Sequence, residues 1–163
     1  MEIILRYLLL LFICYFGLGV GAVIAHYVEE ELKPGRKYFK VLKIFVFSTV
    51  VFYLLSYLKF GLDISIPTTL IMTLIVLLWD FRMKFINTGM VFYSFFAVVL
   101  FETKTSNYSA IFATLIFIFG LASAAEKIEK KGKSSVFLKL KTVLLENVLF
   151  LILGILLLII FKS

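Results

Sequence analysis

HYVEEELKPGRKYF, residues 26 to 39, is the most polar stretch of an otherwise apolar chain. It places four basic residues, three glutamates and a Pro-Gly pair between two long apolar runs. Read as a turn between two membrane spans, it decides the fold. Lys33-Pro34-Gly35 is expected to break the helix, because proline lacks an N–H and glycine relaxes the backbone. Tyr38 and Phe39 then open the second span, where aromatic rings suit the membrane interface. Glu29, Glu30 and Glu31 fall at the C-terminal end of the first helix, where the helix dipole disfavours negative charge. Nearby bases compensate: Lys33 follows Glu29 at i,i+4, and Arg36 and Lys37 lie across the turn.

The composition outside this stretch points to lipid as the main solvent. Of 163 residues, 63% are apolar and 19 are Phe, against about 45–50% apolar in soluble domains. The net charge of +7 would suggest nucleic acid in a soluble protein. Here the bases cluster between apolar runs, so topology is the better reading and no nucleic-acid partner is expected. Cys14 is the single cysteine; it forms no intramolecular disulfide and reads as a small packing residue. Gln is absent and Asn scarce, as in thermophiles or in proteins of AT-rich genomes.

Six apolar segments follow, at about 3–28, 39–58, 64–79, 85–101, 108–125 and 143–161. Each is expected to be helical, since an isolated strand leaves its backbone unsatisfied in lipid. The third and fourth are short, and span fully only if their ends snorkel or the bilayer thins. The alternative, a re-entrant pair, would draw Arg82 and Lys84 into the bilayer at about 2.5–3.5 kcal/mol each. The first apolar region is too long for a signal peptide, and Glu2 offsets Arg6. Thirteen of the 17 Lys and Arg residues fall on loops one, three and five or beside them; four fall on the other side. The positive-inside rule therefore puts loops 29–38, 80–84 and 126–142 in the cytoplasm and both termini outside. The expected fold is an all-α, six-helix transmembrane bundle forming a single domain over 1–163 in the cell membrane.

The turn sequence EELKPGRKYF, 30 to 39, resembles turns of small, uncharacterised archaeal polytopic membrane proteins. The resemblance implies an archaeal plasma membrane; it brings no activity and no site residues.

Few residues are candidates for chemistry. Glu146 and Asn147 lie about one turn inside the sixth span, and an ionisable group within a span is a functional hypothesis by default. The structural alternative pairs Glu146 with Arg82 or Lys84, or lets it reach the headgroups. Asn147 shares a helical face with Gly154 and reads as an interhelical hydrogen-bond donor. His26, with Glu29 and Glu30 one turn on, is a weaker cation or proton site. Asp63, before Ser65 and Pro67, reads as a helix N-cap. In the fifth loop, Glu126 and Lys130, and Glu129 and Lys133, stand at i,i+4. Gly17, Gly21 and Ala25 form a small-xxx-small ladder on the first span, and Gly120 and Ala124 another on the fifth; such ladders let helices approach closely.

No nucleophile–base set, paired-carboxylate motif or multi-histidine site is present in the sequence, so no catalytic residue, cofactor or metal is expected. The leading expectation is a small-solute or ion permease or channel, or a subunit of one. The alternatives are an accessory or assembly protein whose basic cytoplasmic face meets a cytoplasmic protein or anionic lipid, and a membrane-embedded lipid enzyme. Assembly as a homo-oligomer or within a larger membrane complex is compatible with each.

Overall fold

A computed structural model describes residues 2–82, 88–129 and 135–161. Seven helices occur among them: α1 (Glu2–Tyr27), α2 (Glu29–Tyr57), α3 (Leu62–Arg82), α4 (Thr88–Glu102), α5 (Ser109–Glu129), α6 (Val136–Glu146) and α7 (Val148–Ile160). The last two form one rod interrupted at Asn147, so the fold is an all-α bundle of six helical segments. Glu2–Tyr27, Lys37–Tyr57, Ser109–Ile128 and Val136–Ile160 are long and apolar enough to cross a membrane. The apolar parts of α3 and α4, Leu62–Leu78 and Val91–Glu102, are shorter. The 15 residues of α4 extend about 22 Å at 1.5 Å per residue, less than a hydrocarbon core of about 30 Å.

Side-chain contacts fix the direction of each rod. At one end Arg6 donates to Ser109 Oγ at 3.1 Å, the Tyr57 and Tyr108 rings lie 6.2 Å apart, and Phe101 meets Phe161 at 5.8 Å. At the other end Lys43 pairs with Glu126, and Lys127 with Glu146. Thus α1, α3 and α5 run one way, and α2, α4 and α6–α7 the other. The start of α1 and the end of α7 share an end with the connections after α2 and α4.

The centre of the bundle is α1, held between α5 and the α6–α7 rod. Its buried residues Tyr7, Leu11, Cys14, Leu18, Ala22 and Ala25 recur at helical spacing along one face. Phe96 of α4 and Phe119 of α5 meet edge to face at 4.8 Å, and Tyr93 packs on Phe150 of α7 at 5.3 Å. These rings fill the junction of α4, α5 and α7 in the arrangement aromatic quadrupoles favour. The third helix is peripheral: it packs on α2, where Ser48 Oγ and Thr73 Oγ1 are 2.7 Å apart.

Three boundaries differ from the sequence reading. The chain turns at Val28 (φ −112°, ψ 31°), and α2 runs straight through Pro34 and Gly35. Residues 29–38 are therefore helix rather than loop. Glu29, Glu30 and Glu31 open α2 instead of closing α1, so they sit where the helix dipole favours negative charge. That placement starts the helix early, and Pro34 costs it one backbone bond in its second turn. At the chain's other polar stretch, α5 extends to Glu129 and α6 begins at Val136. Lys139 and Lys141 are thus helical, and the connection narrows to 130–134, which lies outside the described residues. Ser135 caps α6 by accepting from the Leu138 N–H at 3.4 Å. Lastly, Asp63 lies in the first turn of α3 rather than capping it: the Gly61 carbonyl accepts from Ile64 and Ser65.

The end of α2 is closed by Lys59 at φ 61°. Phe60 N–H reaches the Leu55 carbonyl and Lys59 N–H the Ser56 carbonyl, both at 3.1 Å. This is a Schellman closure, in which glycine usually takes the left-handed position; Gly61 follows two residues later.

Candidate functional site

The polar groups of the bundle gather at the C-terminal end of α5. Its adjacent residues Glu126 and Lys127 point to different neighbours. Glu126 binds Lys43 of α2, with side-chain exposures of 7% and 12%. Lys127 Nζ lies 2.9 Å from Glu146 Oε2 of α6, with exposures of 16% and 38%. One ion pair therefore ties α5 to α2 and the other ties it to α6. Lys139 of α6 is fully buried and engaged as well.

Glu146 is thus a partner of Lys127. The side chain of Arg82 and residue Lys84, its expected partners, lie outside the described residues. Glu126 pairs across helices, whereas its expected local partner Lys130 is outside the described residues, as is Lys133.

Asn147 marks the interruption of the sixth rod. Its backbone N–H turns to the Leu144 carbonyl at 3.1 Å, in a tighter turn than the α-helix. Its side-chain Nδ2 donates to the Val143 carbonyl at 2.8 Å, so the expected interhelical donor serves its own helix. Tyr15 of α1 donates to the Leu144 carbonyl at 2.8 Å. The carbonyls exposed by the interruption are thereby satisfied from within the protein, as an apolar surrounding requires. Among the described residues, Asn147 Oδ1 and Tyr93 Oη are buried with no hydrogen-bond partner. Gly154, on the same face as Asn147, offers its carbonyl to Tyr7 at 3.0 Å.

The remaining candidates do not converge. His26 is half-buried in the last turn of α1, its ring 5.8 Å from that of Tyr27. Asp63 is exposed at the opposite end of the bundle. The side chains of Glu29 and Glu30 lie outside the described residues. Among the described residues, no three His, Cys, Asp or Glu side chains come together as metal ligands.

The glycine ladders meet one another. A Cβ on Gly17 would stand 2.7 Å from the Phe117 carbonyl oxygen, and one on Gly21 2.7 Å from Leu121 Cα. A Cβ on Gly120 would stand 3.1 Å from the backbone of Gly17 and Leu18, and 2.7 Å from Tyr93 Oη. The two parallel helices α1 and α5 therefore touch backbone to backbone. Ala25 and Ala124 are buried farther along the same seam.

A cleft of about 360 Å³ runs along α2 between α3 and α4. Phe47, Val76, Phe92 and Phe119 line it, with Lys40 and Lys43 at one end and Leu55 and Thr68 towards the other. Glu146 and Asn147 are not part of it.

Sequence reasoning missed Lys43, Glu126, Lys127 and Lys139 as interior polar residues. Local signals existed: Lys43 sits in the apolar run of α2, and Glu126-Lys127 directly follows LASAA. No protein-family model, curated protein or solved structure matches the chain.

Proposed function

We propose that the chain is a multi-pass cell-membrane protein of the accessory or assembly type, with its ion-paired end in the cytoplasm and both termini outside. The distribution of thirteen of 17 bases on one side supports that orientation. The observation that carries the accessory reading is the cleft along α2, which is lined mostly by apolar side chains and does not include Glu146. The acidic groups a pathway would use are ion-paired between helices instead. Aromatic rings fill the junction of α4, α5 and α7. A basic end flanking an apolar cleft suits anionic lipid or an amphipathic partner.

The permease reading keeps one observation in its favour. The sixth rod is interrupted at Asn147, whose Oδ1 is buried without a partner among the described residues, and interrupted helices recur at transporter ion sites. Flux decides between the two. Purified protein in liposomes is expected to carry no proton or cation flux above that of empty liposomes. Flux that Glu146→Gln removes from a folded protein would establish the permease and end the accessory reading.

Orientation is tested by single cysteines in a Cys14→Ser background. An impermeant thiol reagent on intact cells is expected to label Asn107→Cys, which is exposed between α4 and α5. Gly35→Cys and Gly132→Cys are expected to remain unlabelled until the cells are opened. Labelling of Gly132→Cys from outside would reverse the orientation.

A further inference from the structure

The cleft along α2 has an amphipathic design. From Lys40 to Leu55 it follows 16 residues of helix, whose ends are about 22 Å apart at 1.5 Å per residue. One leaflet is about half of a 30 Å hydrocarbon core, so the cleft exceeds the depth of a single leaflet. Its volume of about 360 Å³ lies in the ~300–1,000 Å³ range of small-molecule sites. The lining is almost wholly apolar along this length, and an extended hydrocarbon chain, far narrower than a helix about 10 Å across, suits so long and narrow a cleft.

Both basic residues of the lining, Lys40 and Lys43, stand at the end shared with the ion pairs, and among the described residues no carboxylate lines the cleft. Lys43 is held in place by Glu126. Lys40 is engaged as well; an ammonium has three donors, so each lysine can keep its partner and bind a phosphate oxygen. Among the described residues the cleft opens where α3, packed mainly on α2, makes little contact with α4.

We propose that this cleft binds one anionic phospholipid, with an acyl chain along α2 between α3 and α4 and the headgroup phosphate at Lys40 and Lys43. The proposal rests on the reading of the chain as a membrane protein and specifies the partner of its basic face. In the assigned orientation the lipid belongs to the cytoplasmic leaflet, whose surface is negative.

The test is native mass spectrometry of protein released from nanodiscs containing equal phosphatidylglycerol and phosphatidylcholine. Wild type is expected to retain one phosphatidylglycerol, with a preference of about tenfold over phosphatidylcholine. Lys40→Ala is expected to bring the preference near parity, and Lys40→Arg to keep it. Val76→Trp, which fills the cleft, is expected to remove the retained lipid. Wild type that retains no lipid, or both lipids equally, overturns the proposal whether or not the variants fold. Folded Val76→Trp with undiminished retention overturns it too. Cysteine labelling reads the orientation separately: a reversed orientation with phosphatidylglycerol retained sinks that assignment alone, and lost retention with the orientation intact sinks the lipid site alone.

Discussion

Gly21→Ala is expected to lower the melting temperature of the purified protein, and Gly19→Ala, two residues away on the same helix, to leave it unchanged or raise it. Both substitutions gain about 1 kcal/mol of helix propensity. They differ in what the new methyl group meets. At Gly19 the nearest atom is Leu140 Cδ1 at 3.8 Å, an ordinary contact. At Gly21 it meets Leu121 Cα at 2.7 Å and the Leu121 carbonyl oxygen at 2.8 Å. Those are backbone atoms of a helix and cannot swing aside, so α1 and α5 must separate. Overpacking of this kind costs roughly 1–3 kcal/mol and occasionally more, and each kcal/mol moves the midpoint by about 2–4 °C at this size. Gly21→Leu is expected to prevent folding outright. Gly17→Ala should resemble Gly21→Ala, since its methyl group would lie 2.7 Å from the Phe117 carbonyl oxygen. Equal melting temperatures for Gly19→Ala and Gly21→Ala would mean that α1 and α5 do not pack through this seam.

That seam was legible in the sequence because close helix packing leaves a local mark. Gly17 and Gly21, and Gly120 and Ala124, are each four residues apart, which puts small side chains on one helical face. The six helical segments were legible for a similar reason: continuous apolar runs of span length admit only helices in lipid. What the sequence concealed was partner choice. Lys43 and Glu126 are 83 positions apart, and Lys127 and Glu146 are 19 apart. Their pairing follows from α5 lying between α2 and α6, which no local pattern encodes. The turn at Val28 was concealed by a conflict of signals. Pro34-Gly35 argues for a break there, while three consecutive glutamates favour a helix start at Glu29 through the dipole; here the helix start prevails. Lys139 was misplaced because charge alone suggested a loop, whereas VFLKLKTV carries its lysines on a helix that buries Lys139 and exposes Lys141.

Glu126→Ala is expected to be the most damaging change at the ion-paired end, well ahead of any change at Glu146. The two carboxylates have similar partners and different surroundings. Glu126 and Lys43 are 7% and 12% exposed, so removing the glutamate leaves an ammonium within the bundle at a cost of about 3–5 kcal/mol. Glu146 is 38% exposed, so it is less enclosed by the protein, and losing its pair is expected to cost less. Expression and melting temperature should therefore fall together for Glu126→Ala and change little for Glu146→Gln. Two double variants separate the pair's attraction from the cost of orphaning one partner. Exchanging the charges, Lys43→Glu with Glu126→Lys, should recover much of the loss, because the pair can re-form across the same helix contact. Replacing both residues by methionine should be nearly neutral, since the desolvation cost disappears with the attraction. A wild-type melting temperature for Glu126→Ala in lipid-free detergent would mean that the Lys43 ammonium is satisfied without Glu126. In that case α5 would be held to α2 by apolar packing alone, and the ion pair would contribute nothing to the bundle.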